Sequence, residues 1–199
     1  MRAGMRLVRG MMALAIAASV VAPASATTLV RESLDELVAG NATIIVGEVL
    51  DSRSYWNEDR NFILTDVRVA VSDVLKGNPR DNEITVTIMG GRVGDLTTLI
   101  IGGAELIPGS SYVLFLNQED LPGVKGVATV RDHCQGVFDL AIAADGLRAV
   151  SQANRHPLVP DKLGYVDAPG GVEGFPLRAM MQSIREIVER PQGAGREVK

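Results

Sequence analysis

The sequence predicts a mainly β fold: a small Greek-key barrel of OB type, with a short N-terminal helix and a C-terminal amphipathic helix. Three observations predict it. Short runs of period-two hydrophobic alternation recur between Gly, Pro and Asn turn signals. The first run is interrupted by a glycine and opens a three-strand meander, which suits a small OB-type barrel. Near the C-terminus the apolar period lengthens to that of a helix.

The elements follow in order. Ser33-Leu34-Asp35-Glu36 has the spacing of a capping box, so a short helix over Leu34 to Val38 is expected, ending at Gly40. Thr43 to Leu50 (TIIVGEVL) has apolar residues at both parities, as a central strand does, and Gly47 inside it marks a bulge or a close backbone approach. Asp51 to Asn61 is polar and is expected as a loop carrying Tyr55 and Trp56. Phe62 to Val74 alternates, with Ile63, Thr65, Val67, Val69 and Val71 on one face. Lys76-Gly77-Asn78-Pro79 is a turn, and Glu83 to Met89 is a third strand with Ile84, Val86 and Ile88 inward. The glycine-rich stretch from Gly90 to Gly109 leaves room for one short strand at Leu99 to Ile101. Ser111 to Leu116 (SYVLFL) is a buried strand; Val124 to Val130 and Gly136 to Ile142 are weaker ones. Ala144-Asp145-Gly146 turns the chain into Leu147 to Val150.

Five regions result. Residues 1–26 read as a secretory signal peptide. Arg2, Arg6 and Arg9 precede an apolar stretch from Met11 to Ala22, too short to span a bilayer, and Ala24-Ser25-Ala26 is a small-x-small cleavage site. Residues 27–152 are the barrel. Residues 153–175 form a Pro/Gly-rich linker, and residues 176–190 the amphipathic helix, with Leu177, Met180, Met181, Ile184, Ile187 and Val188 at helical spacing. Residues 191–199 are expected as a disordered tail. The stripe suits packing on the barrel; the alternative is docking on a partner. The expected location is the periplasm or the extracellular medium.

Charge and cysteine usage narrow the chemistry. Without its signal the chain holds 17 basic and 24 acidic residues, a net charge of −7. Such a surface disfavours nucleic acid and anionic membranes, and no stable membrane insertion of the mature chain is expected. Cys134 is the single cysteine, so no intramolecular disulfide forms. His133-Cys134 is the one pair that suggests a nucleophile and base, but neighbours on a strand point apart, and Cys134 reads as a small buried core residue. Two histidines and one cysteine give no metal-ligand spacing, and no cofactor is implied. Gly90-Gly91-Arg92-Val93-Gly94 does not open a helix, which leaves it without the basis of a phosphate cradle. No GxSxG occurs. No catalytic residue is assigned.

The run NATIIVGEVLDSRSYW, a polar loop and then TDVRVAVSDVLKG resembles the N-terminal half of netrin-like domains, a group that includes the tissue inhibitors of metalloproteinases. Ala42, Val46, Gly47, Val49, Val74, Lys76 and Gly77 fit the pattern, and PGSSYVLFL (Pro108 to Leu116) matches a later strand. Exported bacterial domains, some accompanying matrixin-type metalloproteases, carry the same pattern. The resemblance covers Ser33 to Leu140 and implies an OB-type barrel with a protein-binding role. The family's inhibitory chelation does not carry over. It needs an N-terminal cysteine, and Thr27 stands at the expected new N-terminus.

The candidate binding residues are Tyr55 and Trp56, with Arg53 and Arg60 beside them. In an OB-type barrel the loop between the first two strands flanks the usual binding face, and Tyr and Trp anchor interfaces. The competing reading has Trp56 capping one end of the barrel core. The expected function is a non-enzymatic module that binds another exported macromolecule, a protease among the candidates. One alternative is an inhibitor, accessory or pro-region of a secreted metalloprotease. The other is a hydrolase whose site involves an acid pair, with Asp66 as one member.

Overall fold

The computed structural model describes residues 31–130, 134–155 and 173–190. The signal-peptide region, most of the linker and the tail lie outside the described residues, as does His133.

Ser33 starts the first helix as its sequence requires. The Glu36 amide donates to Ser33 Oγ (3.3 Å), and the Ser33 amide donates to the Glu36 carboxylate (2.8 Å). Helix α1 spans Leu34–Gly40. The chain then enters strand β1, Thr43–Trp56, and returns along β2, Ile63–Lys76, and β3, Glu83–Met89. A small hairpin follows, β4 (Gly91–Val93) and β5 (Leu96–Thr98). Next come β6 (Ser111–Leu121), β7 (Val124–Val130), β8 (Val137–Ala143) and β9 (Gly146–Ser151). A 3-10 turn at Gln152–Arg155 ends this run. The last described segment is β10 (Phe175–Pro176) and helix α2 (Leu177–Glu189).

The fold is mainly β. One sheet runs in the order β10-β9-β8-β6-β1-β2-β3, with β7 paired to β6 beside β8, and every pairing is antiparallel. β3 lies near β7, but no hydrogen-bonded ladder joins them among the described residues.

Gly47 lets the backbone of β2 approach β1 closely. A Cβ there would sit 2.6 Å from the Ala70 carbonyl oxygen, and the β1–β2 register shifts between Val46 and Gly47. The sheet is packed on both faces. Ile45, Val49, Val67, Val69, Val86 and Leu114 fill one side. On the other, Ile44, Val46, Val113, Phe115 and Phe138 meet Leu37 and Val38 of α1 and Met180 and Ile184 of α2. Phe115 and Phe138 stack tilted at 5.7 Å between ring centroids. The apolar stripe of α2 therefore faces its own sheet, and each fully buried side chain contributes about 1.5–3 kcal/mol.

Several expectations are corrected. The polar stretch after Leu50 is strand, not loop: β1 continues to Trp56 because Asp51 to Trp56 pair with Arg68 to Ile63 of β2. Leu99 to Ile101 is not a strand. The hairpin forms upstream, and these residues loop outward with Leu99 82% and Ile101 65% exposed. β6 runs on to Leu121 through its pairing with β7. The linker's described ends are structured. Ala153 is buried, and Phe175–Pro176 pairs with β9. Arg148 clamps that return by donating to the Glu173 and Gly174 carbonyls (3.0 and 2.8 Å).

The end of β2 has a second role. Lys76 Nζ donates to the Val38 and Asn41 carbonyls (2.5 and 2.6 Å), at the end of α1 where carbonyls lack helical partners. Partial burial lowers the pKa of its ammonium below the ordinary lysine value. Replacing Lys76 by Met keeps the stem but strands these acceptors. We expect a loss of about 2 kcal/mol, seen as a lower urea midpoint at unchanged slope; an unchanged midpoint contradicts the role.

Candidate functional site

The tip of the β1–β2 ribbon is organised by Asn57, which is 2% exposed. Its Oδ1 accepts from the amides of Asn61 and Phe62 (both 3.0 Å), and its Nδ2 donates to Asn61 Oδ1 (2.8 Å) and the Pro122 carbonyl (3.3 Å). The last bond ties the tip to the β6–β7 turn, where Gly123 leaves room that a side chain would take from Asn57. Arg60 sits in this turn at φ 54, a left-handed conformation uncommon for a residue with a side chain.

Strand alternation splits the residues singled out from sequence. Tyr55 pairs opposite Leu64 and Arg53 opposite Asp66, on one face; Trp56 pairs opposite Ile63 and shares the other face with Ser54. Tyr55 and Trp56 are both half-buried but do not form one aromatic patch. Arg53 is exposed on the Tyr55 face, and Arg60 is exposed at the tip.

On the Tyr55 face, the phenol donates to Asp66 Oδ1 (3.1 Å), and Thr87 Oγ1 donates to the same oxygen (2.8 Å). This links β1, β2 and β3 by side chains. Burial raises the Tyr55 pKa above 10.0, and the charge of Asp66 and its hydrogen bond raise it further. Asp66 is thus engaged by two hydroxyls.

On the Trp56 face, the β4–β5 hairpin folds against β1. Ser54 Oγ and Thr65 Oγ1 share a hydrogen bond (2.8 Å), Thr65 Oγ1 donates to the Gly90 carbonyl (2.7 Å), and the Arg92 amide donates to Ser54 Oγ (3.3 Å). Gly91 is needed at φ 132 here, because any Cβ would overlap the Ser54 and Thr65 hydroxyls.

The segment that follows holds the residues sequence reasoning missed. Leu96, Leu99, Ile101 and Ile107 are all more than half exposed within twelve residues. Their signal was the density of apolar residues between glycines, which had suggested a strand. Behind them is a cleft of about 350 Å³ lined by Leu99, Ile101, Glu105, Cys134 and Gln152. Gln152 fixes its wall by exchanging two hydrogen bonds with the Glu105 backbone (3.0 and 2.7 Å). Cys134 is 2% exposed and packs on Ala153, as a small hydrophobe does.

Among the described residues no three His, Cys, Asp or Glu side chains converge as metal ligands. No described helix is long and apolar enough to cross a membrane. The chain matches no protein-family model and no curated protein.

The Tyr55 bond predicts a pH signature. In a tyrosine-selective NMR titration Tyr55 should ionise above 10.0, and Asp66→Asn should bring it part of the way back, since burial remains. A raised folded value means that this contribution to stability is full below about pH 10 and is lost as pH rises through the folded pKa. An unshifted Tyr55, or one indifferent to Asp66→Asn, contradicts the contact.

Proposed function

We propose that this chain is an exported, non-enzymatic binding module. Its contact surface is the Trp56 side of the β1–β2 tip together with the exposed loop from Leu96 to Ile107. The observation that carries the proposal is that loop. Four large apolar side chains stand in water on a segment held in place by Ser54, Gly91 and Gln152. Exposed apolar clusters on rigid supports mark interaction surfaces, because covering them returns hydrophobic free energy without a large ordering cost. Half-buried Trp56, on the face that the hairpin folds against, adds an aromatic anchor, and Arg60 at the tip supplies charge.

The finer fold belongs to the same proposal. The neighbour order β3-β2-β1-β6-β7, the close approach of β2 to β1 at Gly47 and the contact of the β1–β2 tip with the β6–β7 turn support an OB-type, netrin-like barrel. The residues of the resemblance serve the frame: Gly47 lets β2 pack close to β1, and Lys76 holds α1. The basic, apolar and small-residue pattern of residues 1–26 supports export to the periplasm or beyond, with cleavage after Ala26. The partner is then another exported protein, and a secreted protease is the class that the resemblance favours.

Affinity capture from the native exported fraction tests this. The exported chain should retain a specific partner. Leu99→Asp/Ile101→Asp should weaken capture about tenfold or more while leaving the thermal midpoint near that of the parent, since both residues are exposed. Capture that survives both this variant and Trp56→Ala rules out the surface.

A further inference from the structure

The two ends of the sheet are built differently. β10 closes one end with two residues, one of them Pro176. A short, proline-bearing strand blunts an edge against pairing. β3 ends the other with seven residues, free of proline and lysine and paired to β2 without a register shift.

The ladder fixes which main-chain groups of β3 are spare. The Gly90 amide donates to the Ile63 carbonyl and the Val71 amide to the Asn82 carbonyl. In that antiparallel register Ile84, Val86 and Ile88 exchange bonds with Val69, Val67 and Thr65. The N–H and C=O groups of Glu83, Thr85, Thr87 and Met89 therefore point away from β2. Among the described residues β7, which lies near β3, has no second hydrogen-bonded neighbour either. The Phe115 amide donates to the Gly136 carbonyl, so Asn117 and Glu119 bond toward β7, where they pair with Thr129 and Val127. Ala128 and Val130 then turn their main-chain groups away from β6. At the Glu83–Thr85 end of β3, a cleft of about 570 Å³ opens, lined by Thr43, Glu83, Thr85, Gln118 and Ala128.

We infer that this cleft receives an extended segment of another polypeptide as an added strand on β3. The spare groups of Glu83 and Thr85 repeat at about 6.8 Å, the two-residue repeat of an extended chain. Only a backbone offers alternating donors and acceptors at that spacing, and strand addition is an established mode of peptide recognition. Arg80, Asp81 and Glu83 line the cleft beside Thr43, Thr85 and Gln118, which suits a segment with polar side chains. This edge is separate from the Trp56 surface, so either proposal can fail alone.

Amide exchange of the ¹⁵N-labelled protein, alone and with a blocked Thr-Val-Thr-Val-Thr peptide, tests it. In the free protein Glu83 and Thr85 should exchange about tenfold or more faster than Ile84 and Val86. The peptide should shift and protect Glu83 and Thr85. Its alternately N-methylated form should not, and Thr85→Pro should abolish the effect while sparing the β2 ladder. Three results overturn the inference: slow exchange at both residues in dilute free protein, protection that grows with protein concentration alone, or no response to the peptide up to about millimolar.

Discussion

The end of α1 presents carbonyls that no helical amide can reach, and three polar side chains settle them. Lys76 reaches back from the end of β2 to Val38 and Asn41; Asn41 donates to the Leu37 carbonyl (2.8 Å); Asn117 of β6 donates to the Gly40 carbonyl and to Asn41 Oδ1 (both 3.1 Å). One helix end is thereby bonded to two strands far away in sequence. Asn117 also accepts from the Ala42 amide (2.8 Å) where β1 begins, so the same cluster sets where the first strand enters the sheet. Asn41 is 4% exposed, and in such surroundings each unpaired group would cost about 1–3 kcal/mol.

With α1 held, the sheet can be apolar on both faces. Leu37 and Val38 cover one face, and α2 completes the cover with Met180 and Ile184. Exposed ion pairs at the helix surface, Arg185 to Asp73 (2.7 Å) and Arg190 to Asp35 (2.8 Å), add little to this; such pairs contribute about 0–1 kcal/mol. The other face closes over Val67, Val69 and Leu114. Past Glu48, β1 no longer pairs with β6 and continues with β2 as a two-stranded ribbon. The β4–β5 hairpin leans on this ribbon. The inner face of the helical side is thus given to packing, while the loop beside the ribbon carries four large apolar side chains, each more than half exposed.

What the sequence revealed follows from how local each signal is. The capping box, the close backbone approach at Gly47, the alternation of β2 and the stripe of α2 are patterns within a few residues, and the structure agrees with them. The second half of β1 was hidden because a ribbon with one neighbour lacks a continuous buried face, so its sequence does not alternate. The loop around Leu99 misled in the opposite sense. Its apolar residues suggested burial, and burial depends on what folds over a segment. Tyr55 and Trp56 looked like one patch through adjacency, and strand geometry divides them. The bonds of Lys76 and Asn117 to the helix end span tens of residues, beyond any local pattern.

The central claim is that the ribbon end, not the helical side, meets a partner. Site-specific photocrosslinking in the native exported fraction tests it most directly, with the crosslinker placed at Leu99 in one protein and at Val188 of α2 in another. Both positions are exposed. The account predicts a discrete adduct from position 99 and none from position 188. An adduct from position 188 alone, or from neither, would contradict it.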